Sequence, residues 1–184
     1  MKGKVAAEWR PEFSRPLDVG ELDDGEEGRR HVTAEPDERQ ALCARFNLVG
    51  LDRLEADVDF VRRGRVVVVA GRLEADLTQT CVVTLEPLAA HLEEPFIIRF
   101  DPDLVPEEAD FAEALADDPL DGDDIQPLVG DVIDLGEVVS ECLGLALDPY
   151  PRKDGSALDP RYVIEPAGDS SESSPFAVLK KLKL

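Results

Sequence analysis

The chain has 184 residues and is 43% hydrophobic with only 5% aromatics, so an aliphatic core of one domain is within reach. It carries 41 acidic and 20 basic side chains, a formal net charge of −21. A surface of that sign repels phosphate backbones, which argues against non-specific nucleic-acid binding and favours basic partners.

The opening stretch MKGKVAAEWRPEFSRP has no apolar h-region, so no secretory signal is expected there. No apolar run approaches the ~20 residues of a membrane span. Three cysteines, Cys43, Cys81 and Cys142, are odd in number and far apart, which is no disulfide framework and suits a reducing cytoplasm.

Residues 1–50 begin with an extended stretch, EFSRPLDV, and an acidic loop, GELDDGEEGRR. Pro36 with Asp37 and Glu38 then marks a helix start, and Leu42, Cys43 and Phe46 share one side, so a helix is expected over about 36–46. The near repeat RLEADV (53–58) and RLEADL (72–77) is too short for a solenoid and reads as two arms of a hairpin. With Arg63-Gly64 as a two-residue turn, Leu54 faces Leu73, Val58 faces Val69 and Phe60 faces Val67. On the other face Arg53 meets Glu74 and Glu55 meets Arg72.

The same alternation continues inward through Val67, Val69, Gly71, Leu73, Ala75, Leu77, Gln79, Cys81, Val83 and Leu85. Gly71 is the expected bend or bulge, and a bulge there would reverse the face of Cys81. Pro87 ends the strand. PFIIRF (95–100) alternates as the next antiparallel strand. Residues 101–131 are acidic and poor in β-branched side chains, and read as a mobile loop with a short helix near 107–116.

The best helix signal follows. Asp134 is the N-cap and Glu137 its capping-box partner. Leu135, Val138, Val139, Cys142, Leu143 and Ala146 make one apolar stripe, and Asp148-Pro149 ends it. Gly136 and Gly144 weaken it slightly. The remainder is rich in Pro, Ser and Gly until PFAVLKKLKL, which suits either a partner-binding turn or a helix folded back on its own sheet. The expected organisation is one domain over 1–168, with a Ser-rich linker and a short C-terminal helix or tail over 169–184. The fold class is α+β: a mostly antiparallel sheet of five or six strands, open or barrel-like, with two main helices and long acidic loops.

The sequence offers little catalytic chemistry. His31, Cys43, Cys81, His91 and Cys142 are scattered, with no CxxC or HxxxH, so no metal is expected. DDPLDGDD fails as a calcium loop because Pro119 and Leu128 stand at ligand positions. Cys81 has no base beside it, and neither GxSxG nor a phosphate loop is present. No catalytic residue, cofactor or small-molecule substrate is assigned.

Two binding surfaces remain. Asp148, Tyr150, Arg152 and Lys153, in LDPYPRK, make a rigid extended segment presenting an aromatic, unless Tyr150 simply packs on the core. Arg62, Arg63 and Arg65 cluster at the hairpin tip, and Lys180, Lys181 and Lys183 lie in the tail; these are the candidate contacts for RNA.

EFSRPLDV, ERQALCARFNLVGLDRLEADV, GRLEADLTQTCVVTLEP, IDLGEVVSECLGLALDPYPRK and SPFAVLKKLK, in that order, resemble the large ribosomal RNA subunit accumulation proteins, the YceD family. The signature positions are Cys81, Leu85, Glu86 and Pro87, then Asp134, Leu135, Gly136 and Glu137. The resemblance implies a cytoplasmic, non-enzymatic role in large ribosomal subunit biogenesis, supporting accumulation of 23S rRNA. Many relatives carry two cysteines three apart at the strand end. Here Thr84 stands at the second, so a metal or dithiol role does not carry over. Combined with the charge, the expected partner is a basic ribosomal protein or assembly factor. The alternative is direct rRNA contact through the arginine tip and tail lysines.

Overall fold

The computed structural model describes residues 11–104, 124–157 and Arg161. Seven strands and two helices lie within them: β1 (Pro16–Asp18), β2 (Glu27–Thr33), α1 (Pro36–Phe46), β3 (Gly50–Arg63), β4 (Val66–Thr80), β5 (Pro87–Asp101), β6 (Asp124–Pro127), β7 (Val132–Asp134) and α2 (Leu135–Ala146). The expected helix near 107–116 and the tail 169–184 lie outside the described residues. Part of the expected acidic loop is a strand: β6 pairs in parallel with the end of β5, Ile98 opposite Asp124.

The main sheet runs β2-β3-β4-β5-β6, antiparallel except for that last pair. Among the described residues it is open, with β2 and β6 at its edges, and does not close into the barrel that the sequence allowed. β1 and β7 form a separate antiparallel pair. One core occupies one face of the large sheet. It joins Leu54, Val58, Val67, Val69, Leu73 and Leu77 to Leu42 of α1 and to Val139 and Leu143 of α2. The α+β class expected from the patterning therefore holds.

The β3–β4 hairpin differs from its expected register by two residues. Its turn is Gly64-Arg65, and only Gly64 has positive φ, at 62°. That is the demand of a type II′ turn, with glycine at the first central position. Leu54 thus faces Ala75, Phe60 faces Val69, and Val58 faces Gly71. A shift of two preserves the inward face, so Leu54, Val58, Phe60, Val67, Val69, Leu73, Ala75 and Leu77 remain inside. Val83 and Leu85, expected on the same face, are not in the core, because β4 ends at Thr80 and the chain turns there; Leu85 is exposed. The expected ion pairs survive only in part. Arg53, now opposite Asp76, contacts Glu55 and reaches Glu74 at 2.7 Å. Glu55 faces Glu74, and Arg72 instead binds Glu93 of β5 at 3.1 Å.

Gly71 is not a bulge. Pairing runs unbroken through it, and the irregularity lies between Leu51 and Arg53. A Cβ on Gly71 would sit 2.4 Å from the Asp57 carbonyl oxygen and 2.8 Å from the Phe96 ring, so the glycine admits a neighbouring strand and an aromatic side chain.

Both helices begin where the sequence places them. The Glu35 N–H donates to Glu38 at 2.8 Å. At α2, Asp134 Oδ1 accepts the N–H groups of Gly136 and Glu137 at 3.0 and 3.3 Å, and that of Arg15 at 2.7 Å. The Ser14 hydroxyl donates to Oδ2 at 2.5 Å. Glu137 does not complete a capping box. Its carboxylate accepts from both Nη groups of Arg45, at 3.0 and 2.8 Å, and ties α2 to α1. Gly136 is not merely a weak helix former, because its missing side chain leaves room for the strand entering β1. A Cβ there would lie 2.4 Å from the Phe13 carbonyl oxygen. Gly136→Ala is therefore expected to lower the unfolding free energy by about 1–3 kcal/mol through overpacking, despite alanine's better helix propensity. Urea denaturation of the two proteins checks this.

Candidate partner-binding corner

At the far end of β4 the sequence CVVTLE forms a tight loop. The Cys81 N–H donates to the Glu86 carbonyl at 2.9 Å, and the Leu85 N–H to the Cys81 carbonyl at 2.9 Å. Leu85 adopts φ 60°, a left-handed conformation that a branched aliphatic residue rarely takes. Its side chain is 76% exposed, so core packing does not explain that strain.

The exit of α2 makes the second wall. The Asp148 carboxylate accepts the Tyr150 N–H at 2.8 Å, an Asx turn that reverses the chain. The loops are joined at several points. The Val82 N–H donates to the Pro151 carbonyl at 2.9 Å, Gln79 Nε2 to the Asp148 carbonyl at 2.9 Å, and Lys153 Nζ to Glu86 at 2.9 Å.

Cys81 sits between them, fully buried as the strand alternation requires. It is more than a small hydrophobe. Its Sγ accepts the backbone N–H of Thr84 and that of Lys153, each at 3.4 Å, so one sulfur ties both loops. The Thr84 hydroxyl is the largest influence on the thiol, followed by the N–H groups of Lys153 and Thr84; together they outweigh burial and lower its pKa to about 6. Hydrogen bonds aimed at sulfur favour the thiolate. The other cysteines behave oppositely: burial raises Cys43, and it raises Cys142 to about 11. Among the described residues no three His, Cys, Asp or Glu side chains gather in a metal-binding arrangement.

Of the segment singled out in LDPYPRK, Tyr150 is 69% exposed and does not pack on the core; Pro151 is the buried residue. Asp148 and Lys153 brace the loops, while Arg152 is exposed. The arginine tip is less free than its sequence suggests. Arg62 Nη1 donates to the carbonyls of Val19 and Leu22 at 2.8 and 3.0 Å, and Arg65 pairs with Asp103 at 2.5 Å. Arg63 is exposed. Lys180, Lys181 and Lys183 lie outside the described residues.

The family model "Large ribosomal RNA subunit accumulation protein YceD" matches residues 69–183, well over half of the chain. The chain belongs to the YceD family. The matched span takes in both loops of this corner and begins after Arg62, Arg63 and Arg65. No curated protein and no solved structure matches the chain. Among the described residues no helix is long and apolar enough to cross a membrane.

Two predictions follow from the corner's geometry. Because the folded Cys81 pKa lies below its unfolded value, the thiolate's stabilisation is complete above the unfolded value and disappears as pH falls through about 6. Thermal melts between pH 5.5 and 9 should show the wild type gaining on Cys81→Ala as pH rises; parallel profiles would contradict the assignment. Leu85→Gly should raise stability by about 1 kcal/mol by relieving left-handed strain, as read by denaturant midpoints.

Proposed function

We propose that the protein supports accumulation of 23S rRNA as a non-catalytic, cytoplasmic factor, by holding a basic ribosomal protein or assembly factor on its acidic surface. Family membership supplies the biological end point, accumulation of large-subunit ribosomal RNA. The observation behind the mechanism is charge. Between Phe100 and Pro151 there are sixteen Asp or Glu and no Lys or Arg, within a chain of net charge −21. Charge of that sign attracts a basic protein before it has found its RNA, and shields it from wrong partners. The braced corner supplies the apolar part of the contact, with Tyr150, Leu85 and Val82 exposed on two hydrogen-bonded loops. Aromatic anchors on rigid segments are the usual centres of binding energy.

Direct rRNA binding is the alternative. Its weakness is the engagement of Arg62 and Arg65 within the protein's own loops. Depletion should lower the ratio of large- to small-subunit rRNA. Capture from lysate should recover an identifiable basic ribosomal protein or assembly factor, released by salt. Tyr150→Ala should weaken that capture by about 2 kcal/mol. Preferential recovery of protein-free rRNA fragments, weakened by charge reversal at Arg62, Arg63 and Arg65, would favour the alternative.

A further inference from the structure

β5 is a strand of 15 residues, yet among the described residues its second neighbour, β6, covers only Ile98 to Asp101. The direction of the uncovered backbone groups follows from the ladder. The Cys81 N–H donates to the Glu86 carbonyl, one step beyond the Thr80–Pro87 pair. In an antiparallel pair such bonding alternates, so even-numbered residues of β5 bond to β4 and odd-numbered ones turn away. The prolines agree with this: Pro87 and Pro95 are both odd, where no ladder bond to β4 is lost. The outward groups are thus the N–H of Ala89, His91, Glu93 and Ile97 and the carbonyls of Ala89, His91, Glu93 and Pro95. This edge is about 30 Å long.

Its surroundings are apolar and acidic. A groove of about 240 Å³ lies between Phe96 and Ile97 of β5 and Cys142, Leu145 and Ala146 of α2, with Glu94 and Asp124 in its lining. Leu145 is 80% exposed there. Burial, then the negative charges of Glu141, Asp124 and Glu94, raise the Cys142 thiol. The opposite edge of the sheet differs. β2 presents Arg29, Arg30 and His31, and the Thr33 carbonyl already accepts Arg15 at 2.8 Å.

Resting on the reading of a basic partner, we infer that the Ala89–Ile97 edge of β5 takes up an extended basic segment of that partner as an added strand. Backbone bonds to the odd-numbered residues hold it. Lysines or arginines turned to the outer face meet Glu93, which already holds Arg72, and the alternate apolar side chains turn to the groove face and meet Leu145 and Phe96, with Glu94 and Asp124 at the groove's rim. The same carboxylates disfavour a second copy of this chain in the registers that would oppose Glu94 to its counterpart. Pro95 removes one donor from this edge but leaves its carbonyl as an acceptor.

The test uses the full chain and a short peptide of alternating lysine and valine. Bound peptide should slow amide exchange at Ala89, His91 and Glu93. N-methylation of the peptide at alternate residues, and separately His91→Pro, should each weaken binding by about tenfold or more. Glu93→Lys with Glu94→Lys should do the same. If His91→Pro fails to fold, the N-methylated peptide on the wild-type chain decides. Equal affinity for the N-methylated peptide would overturn the inference, leaving charge attraction alone. So would slow exchange of these amides before peptide is added, which would mean that another part of the chain, such as 105–123 or 175–184, already fills the edge. Should the edge fail while a basic ribosomal protein is still captured from lysate, only the edge assignment falls; should no such protein be captured, the reading it rests on falls too.

Discussion

The structure depends on one side-chain alternation that runs without a break from Val67 to Leu77. Each odd residue of β4 points to the core, and Gly71 keeps the phase because it lets the Asp57 carbonyl and Phe96 approach instead of buckling the strand. Had the phase slipped there, Leu73, Ala75 and Leu77 would face solvent and Arg72, Glu74 and Asp76 the core. Burying those three charges would cost far more than the hairpin gains. The lattice of ion pairs on the outer face, Arg53 with Glu74 and Arg72 with Glu93, is therefore a consequence of the same phase.

That phase also delivers Cys81 to the end of the strand with its sulfur inward. A valine would satisfy the alternation equally well. What a valine cannot do is accept N–H groups from Thr84 and Lys153, and those bonds turn two irregular segments into one braced corner. In the proposed contact that rigidity matters, because Tyr150 and Leu85, the exposed residues it carries, would otherwise lose conformational entropy on binding. The left-handed backbone of Leu85 belongs to the same arrangement: local strain is tolerated where the surrounding bonds over-determine the loop.

Much of this was legible in the sequence. Period-two and period-3.6 patterns placed both helices and the β3–β4 hairpin, because burial on one face leaves a strong linear trace. The hairpin register was missed by two, since Gly64 serves either turn position and both registers keep the same residues inside. Glu137 read as a capping partner because spacing along α2 is local, whereas Arg45 comes from a helix ninety residues away. β1, β6 and β7, of three or four residues each, are too short for periodicity and are defined by their partners. The corner was half visible: DPYP announced a rigid exit from α2, but nothing in the order of residues says that Lys153 returns to Cys81.

The two long edges of the sheet show how charge completes what topology begins. An open sheet has free backbone groups at both sides, and such edges invite pairing with any extended chain. β2 presents cations and has a carbonyl already taken by Arg15, itself fixed by Glu38 at 2.8 and 2.9 Å. β5 presents Glu93 and Glu94 near its middle, one on each face. A copy of the same chain meets like charge at β5, and nucleic acid meets it across the molecule as a whole. Of the extended chains a cell contains, a basic one is the kind this acidic edge does not repel. The excess of acids that argues against RNA as the direct ligand is thus the property that makes tolerable a strand edge with no partner among the described residues.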